Sequence, residues 1–271
     1  MLSILNSVSS LQAENAISNT TNALNTNLEQ LSTGLRINNG SDDAAGLSIV
    51  NGLQANIAGL NQSSLNANDG VGMLQTADGA LSQVTALLDR AVTLATEASN
   101  GGLSTTQATA LQTEYAAIQA EINNIGTTTD FNGTAVFGST GSVFESDGTT
   151  SSTISTAVAA LSSKGLGLTT TGTPLSTSGG AQAELTLIDA AVSTVAGDRG
   201  TIGATVNQLT ASQSVESAAV TNLTSAEDSI QNADVGKVVA EMTQNSVLEQ
   251  TGMAALSQSN QMQQNVLKLV Q

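Results

Sequence analysis

The residues best placed to do chemistry are two adjacent carboxylates, Asp42 and Asp43, which follow Gly40 and Ser41. Neighbouring carboxylates can share a proton, deliver one to a substrate or hold a cation. These two directly precede a long apolar-periodic run. There Ser41, Asp42 and Asp43 offer side-chain oxygens to the first N–H groups of a helix, whose dipole also favours negative charge. Capping accounts for the pair, and the chain supplies no catalytic partner. It contains no histidine and no cysteine, which excludes Ser-His-Asp catalysis, His or thiolate metal ligation, disulfides and thiol nucleophiles. No Gly-x-x-x-x-Gly-Lys phosphate loop occurs, and the acidic residues lack the spacing of a calcium loop. Asn132-Gly-Thr134 fits a glycosylation sequon, but the same Asn-Gly lies between short apolar pieces, Phe131 and Val136-Phe137, and signals a β-hairpin turn. A non-enzymatic chain without cofactors is expected.

Composition narrows the class. Of 271 residues, 39% are hydrophobic but only 1% aromatic and 10% charged, against about 25% charged in average soluble proteins. The polar surface is therefore built from Ser, Thr, Asn and Gln. Such residues can be buried against another copy of the chain without the desolvation cost of charges. Net charge is −16. The six basic residues, Arg36, Arg90, Lys164, Arg199, Lys237 and Lys268, are scattered, so neither nucleic acid nor an anionic membrane is an expected partner. The N-terminal Met-Leu-Ser-Ile-Leu-Asn lacks the basic region and long apolar run of a signal peptide, and no run reaches transmembrane length.

Long helices must carry whatever function remains. In residues 1–35, Ile4, Val8 and Leu11 precede a seven-residue repeat of Ile17, Leu24 and Leu31, with Thr21, Leu28 and Leu35 offset. The two sets are out of phase, which predicts a kink or register shift near residues 14–18. Gly34 and Gly40 can then turn the chain. From 44 to 99 the heptad is nearly strict: Leu53, Leu60, Ala67, Leu74, Leu81, Leu88 and Ala95, with Val50, Ile57, Ser64, Val71, Asp78, Thr85 and Val92 offset. Ser64 and Asp78 are expected to weaken that seam locally. Ser104 caps a shorter helix carrying Ala108, Leu111, Tyr115, Ile118 and Ile122, closed by 123–126. Residues 127–182 read as irregular or β, with Ile154, Val158, Leu161, Leu166 and Leu168 able to pack a short helix and a strand. The heptad returns over 183–234 with Ile188, Val195, Ile202, Leu209, Glu216, Leu223 and Ile230, and Leu185, Val192, Val206 and Val220 offset. Gly197, Gly200 and Gly203 allow close approach of another backbone. Last, 237–271 forms a second solitary amphipathic helix with Val238, Met242, Leu256, Met262, Val266 and Leu269.

Three stretches carry a family resemblance. They are Leu31-Ser-Thr-Gly-Leu-Arg-Ile-Asn38 with Ser41-Asp-Asp-Ala-Ala-Gly-Leu47, then Ile230-Gln-Asn-Ala-Asp-Val235, and last Leu248-Glu-Gln-Thr-Gly-Met253 through Gln258-Ser-Asn-Gln261 to Gln264-Asn-Val-Leu-Lys-Leu269. In this order they resemble bacterial flagellin, the subunit of the flagellar filament. The hook–filament junction protein is the alternative, but it commonly has proline after the Asp pair, where this chain has Ala44.

A mainly α fold follows: a long antiparallel, coiled-coil-like helical bundle with a small β-hairpin region, the two terminal helices paired with each other. The resemblance implies an inner-tube domain of 1–43 plus 237–271 and an outer-shell domain of 44–236, without a large surface insertion. The implied function is head-to-tail polymerisation into an extracellular filament that serves motility, after export through the flagellum's own type III secretion apparatus without a cleaved signal peptide. The polymerisation seam is assigned to Leu24, Leu28, Leu31, Leu256, Val266 and Leu269. Bundle-core residues are Leu53, Leu60, Leu74, Leu81, Leu88, Ile188, Val195, Ile202, Leu209, Leu223 and Ile230, and the elbow is Gly34, Arg36, Asp42 and Asp43. Implied partners are other copies of the chain, an export chaperone, and cap and junction proteins. A toll-like receptor is a further implied partner, at a patch comprising Arg90, Leu94 and Glu114. The lack of histidine excludes the zinc-protease insertion, His-Glu-x-x-His, found in some flagellins.

Overall fold

The computed structural model describes residues 8–146, 151–168, 172 and 174–270. The elements are α1 (Val8–Thr33), α2 (Ala44–Ala98), α3 (Thr105–Thr128), β1 (Asp130–Phe131), β2 (Thr134–Ala135), β3 (Ser142–Ser146), β4 (Ser151–Ser155), a 3-10 turn at Pro174–Ser176, α4 (Ser178–Gln231) and α5 (Val235–Val270). The chain divides into two compact units, Met1–Ala55 with Asn222–Gln271, and Asn56–Thr221. The division points, 55/56 and 221/222, fall inside α2 and α4.

In the unit of residues 56–221, α2 and α4 run antiparallel, with Ser63 bonded to Glu216 and Asp78 to Arg199. The buried row Leu60, Ala67, Leu74, Leu81, Leu88 and Ala95 is the expected one. Its companion row differs by one residue. Ser63, Gly70, Ala77, Val84, Ala91 and Ala98 are buried, whereas Ser64, Val71, Asp78, Thr85 and Val92 are half-buried flanks. On α4 likewise, Ile188, Val195, Ile202, Leu209 and Glu216 are buried together with Glu184 and Ala191, while Leu185, Val192, Val206 and Val220 flank them. Size explains the choice: rows of Gly, Ala and Ser let neighbouring backbones approach, and larger aliphatics cover the flanks. Asp78 therefore lies beside the seam, paired with Arg199, and Ser63 occupies the seam position expected of Ser64.

The β region packs onto this core. Asn132 and Gly133 both have positive φ, 52° and 75°, the geometry of a tight hairpin turn joining β1 to β2. A second hairpin pairs Ser142 with Ser155 through to Ser146 with Ser151. Ile154, Val158, Leu161, Leu166 and Leu168 are all buried. Ile154 lies on β4, Val158 in an isolated bridge, Leu166 in a turn, and Leu161 and Leu168 in irregular backbone, so none belongs to a short helix. Ser104 caps α3 in a capping box with Gln107. The helix does not close at 123–126 but continues to Thr128. A Cβ on Gly126 would collide with the Leu161 carbonyl, so this glycine serves close packing rather than termination.

In the other unit α1 and α5 pair antiparallel, with Ser10 bonded to Ser259 at 3.1 Å and Gly252 against Ile17. Helix α1 is unbroken through residues 14–18. The row Ser10, Ala13, Ile17, Thr20, Leu24, Asn27 and Leu31 runs inward without a shift, and Val8 and Leu11 are 71% and 62% exposed. The expected phase break came from reading those two as inward. Leu53, Leu223 and Ile230, assigned to the bundle core, are half-buried.

The three glycines at 197, 200 and 203 face open space and receive no neighbouring backbone. Glycine chemistry therefore predicts opposite signs at two sites. Gly126→Ala should cost about 1–3 kcal/mol through overpacking, while Gly79→Ala, mid-α2 with nothing within 4 Å of its Cβ, should gain about 0.5–1 kcal/mol. Urea unfolding of the two variants checks both.

Candidate functional site

The elbow is a clasp between two chain reversals. Gly34, at φ 75°, ends α1, and its carbonyl accepts from Ala233 N at 2.9 Å. Arg36 N donates to the Gln231 carbonyl at 2.6 Å, and the Arg36 guanidinium donates to the Ile230 carbonyl at 2.5 Å. Arg36 thus neutralises the carbonyl end of α4, where the helix dipole is negative. The two aspartates divide the capping work. Asp43 Oδ1 accepts from Gly46 N at 2.9 Å and caps α2, whereas Asp42 Oδ2 accepts from Asn38 N and Asn39 N at 3.0 and 2.9 Å. Asp42 and Ser41 do not cap the helix as expected, because the loop turns back and spends the Asp42 oxygen on its own backbone. Gly46 has no room for a side chain beside Ile37 and Asp43.

The α1–α5 seam is only partly apolar. Its α5 side comprises Val238, Met242, Asn245, Glu249, Gly252, Leu256, Ser259 and Gln263. At its α1 side Asn27 is 7% exposed and its Nδ2 has no partner; an amide at such a position fixes register at a cost in stability. Leu24, Leu31 and Leu256 are half-buried there, and Leu28 is 47% exposed, outside the seam. Val266 and Leu269 belong to α5, but their side chains lie outside the described residues. Sequence periodicity missed the outward set. Val239, Val247, Leu248, Met253 and Met262 are 39–60% exposed, and with Val8, Leu11 and Leu28 they leave both helices apolar on their free faces. The signal was present as excess apolar residues outside the heptad row.

The patch assigned from resemblance is partly assembled. Arg90 forms a two-pronged bridge to Glu114, at 2.7 and 3.0 Å, with both side chains about half exposed. Leu94, however, is fully buried. It belongs to the buried core cluster of this unit, so its side chain is not available to a partner. The hydrogen bonds of Arg90 hold the Glu114 carboxyl below the usual range, and Arg199 does the same to Asp78. Depressed carboxyls stabilise the fold above their ordinary values of 4.5 and 3.8 and lose that contribution as pH falls through the lower native ones.

Two family models match the chain: the bacterial flagellin N-terminal helical region over residues 4–142 and the bacterial flagellin C-terminal helical region over 185–270. The flagellin of Bacillus subtilis (strain 168) is 31% identical over 98% of this chain and 99% of its own length. The chain belongs to the flagellin family. B-type flagellin of Pseudomonas aeruginosa is 45% identical over 42% of the chain but only 23% of its own length, and Serratia marcescens flagellin 44% over 42% and 33%. A crystal structure of Bacillus cereus flagellin shares 28% identity, covers 56% of this chain and 88% of its own, and superposes with a TM-score of 0.48. No described helix of this family member is long and apolar enough to cross a membrane.

One buried contact is specific to α3. The Tyr115 hydroxyl donates to Glu184 Oε1, both residues fully or almost fully buried, and burial followed by the Glu184 bond pushes the tyrosine pKa far up. Tyr115→Phe removes a donor from a buried carboxylate and should cost about 1–3 kcal/mol, read as a lower urea midpoint with unchanged slope.

Proposed function

We infer that this chain is the structural subunit of a bacterial flagellar filament, polymerising with copies of itself to serve swimming motility. It is a structural protein and not an enzyme. The observation that carries the reading is the outward apolar set on α1 and α5, which remains uncovered after the two helices have paired. Such faces are satisfied only by further chains, and head-to-tail contacts that do not close produce an open helical polymer. The paired helices supply an extended surface, and the Ser/Thr/Asn/Gln coat buries at little desolvation cost. Ala44 after the Asp pair, and likeness to Bacillus subtilis flagellin over nearly its whole length, favour the filament subunit over the junction protein.

The finer assignments are proposals on the same basis. Segments 1–43 and 237–271 form the inner tube, and 44–236 the outer shell. An export chaperone and the cap and junction proteins are its partners on the way out of the cell. A toll-like receptor would read the exposed Arg90–Glu114 bridge without Leu94.

Three measurements test this. Val247→Asn together with Leu248→Asn removes two exposed apolar side chains, each worth about 1.5–3 kcal/mol when buried. The concentration needed for polymer should rise at least about tenfold while the monomer melts as before; filaments at the parent concentration would sink the reading. A subunit of charge −16 repels its copies, so sedimentable polymer should increase with sodium chloride and more with ammonium sulfate. For the receptor, Arg90→Ala should weaken monomer binding to the ectodomain, and equal binding by both would show that the bridge is not the contact.

A further inference from the structure

Two surface features of the unit of residues 56–221 are not explained by its own packing. The first is a groove of about 420 Å³ between α2 and the two hairpins, lined by Phe131, Phe144, Met73 and Val143 together with Asp69. Glycines let its walls lie against the helix. A Cβ on Gly72 would stand 3.2 Å from the Phe131 ring, and one on Gly70 would collide with Val143. Phe144 is 53% exposed, Phe131 and Met73 are half-buried, and Asp69 is exposed. Two of the three phenylalanines in the chain thus line one open groove, beside a carboxylate. Among the described residues Asp69 forms no ion pair.

The second feature is Lys164. Of the six basic residues, Arg90, Arg199 and Lys237 are held in ion pairs, Arg36 is held by a carbonyl of α4, and the Lys268 side chain lies outside the described residues. Lys164 is exposed and, among the described residues, makes no ion pair. Its turn is tightly built. Leu166 N donates to the Ser162 carbonyl at 2.9 Å, Gly167 N to the Lys164 carbonyl at 3.0 Å, and Leu168 N to the Ser163 carbonyl at 3.0 Å. Ser163 is 1% exposed and its N–H donates to Asn123 Oδ1 of α3 at 2.9 Å. Buried Leu161, Leu166 and Leu168 anchor the turn on both sides. Gly165 follows with no side chain, so the lysine stands out as a narrow knob.

We propose that Lys164 of one copy enters the groove of a neighbouring copy, its ammonium set against the Phe131 and Phe144 rings and paired with Asp69. This rests on the filament reading and adds to it a contact in the unit of residues 56–221, separate from the faces of α1 and α5. Charge selects the occupant. Subunits of charge −16 repel one another, and Lys164 is the cation among the described residues that its own chain leaves unengaged. A lysine also suits the lining, since phenyl faces attract a cation and the carbon stem covers apolar wall while its head reaches a carboxylate. An apolar side chain would cover the rings but leave Asp69 unanswered. Both surfaces are built before they meet, so docking orders little beyond the lysine side chain. Knob and groove are different patches, so each copy offers its knob to one neighbour and its groove to another. Such a contact is heterologous and repeats without closing.

Charge reversal in the full-length protein tests the contact, with polymer measured by sedimentation at one fixed salt concentration. Asp69→Lys and, separately, Lys164→Glu should each raise the subunit concentration needed for polymer at least about tenfold. The monomers should melt as the parent does, because both side chains are exposed. Asp69→Lys is the sharper probe: it lowers the net negative charge, so general repulsion alone predicts easier assembly. Combining the two reversals restores opposite charges, and the double variant should need less subunit than either single one. In polymer grown from mixed isotope-labelled and unlabelled parent, a zero-length carbodiimide should join Lys164 to Asp69 across a labelled and an unlabelled peptide. Single variants that assemble as the parent does overturn the contact, as does a double variant whose defect is the product of the two single ones. Loss of polymer in Phe144→Ser, with none in the charge variants, overturns it too, since the groove would then hold an apolar segment of the neighbour. A parent that forms no polymer at any salt concentration overturns the filament reading and this contact with it.

Discussion

The structure depends on how closely long helices can approach one another. With three Phe, one Tyr and no Trp, the chain cannot fill wide gaps between elements with aromatic rings. It narrows the gaps instead. Rows of Gly, Ala and Ser on α2 and of Ala and Glu on α4 set the separation, and the Leu, Ile and Val rows then pack at native density. The same closeness explains Gly70 under Val143 and Gly126 against the Leu161 backbone. At about 80 Å for a helix of 55 residues, no single contact dominates, and stability accumulates along the length.

Close packing also decides where polar groups can be tolerated. Glu184, Glu216 and Glu145 are buried in the unit of residues 56–221, and each finds at least one hydroxyl: Tyr115, Ser63 and Ser212 respectively. Short hydroxyl side chains fit between backbones where Lys or Arg would not. The guanidinium bridges, Arg90–Glu114 and Arg199–Asp78, stand at the flanks, where long side chains have room and water. Acid accordingly weakens the flanking bridges, whose carboxyls are held low by arginine, whereas burial raises the Glu216 carboxyl in the core.

The terminal unit divides its apolar residues between two faces. Serine, asparagine and glycine share the α1–α5 seam with Ile17, Leu24, Leu31, Val238, Met242 and Leu256, while Val8, Leu11, Leu28, Val239, Val247, Leu248, Met253 and Met262 remain outside it. A pair that joined its own apolar faces would have nothing left to offer another chain. Here the intramolecular pairing sets register through Asn27 and the Ser10–Ser259 bond, and the apolar area is kept for assembly. The Arg36 clasp to the end of α4 ties this unit to one geometry at the reversals.

Sequence by itself determined the helices, their approximate ends, the antiparallel pairing, the Asn-Gly hairpin and one heptad row on each long helix, because a strict seven-residue repeat of Leu and Ile has only one way to be buried. It also identified the family, through the elbow and the C-terminal motifs. Tertiary structure decided the second row. Beside Leu60 the neighbours three and four residues on, Ser63 and Ser64, are chemically the same, and elsewhere apolarity pointed to Val71 and Val92 over Gly70 and Ala91. At Gly70, Ala77 and Ala91 burial went to the smaller residue of the pair, since backbone separation, a property of two helices in contact, selects it. Packing also took Leu94 out of the surface patch and Leu28 out of the seam, and turned Val8 and Leu11 outward. Nor could spacing foresee that Glu145 and Glu216 would be buried, each on a serine hydroxyl of another element. Those partners are distant in sequence, and only tertiary packing brings them together.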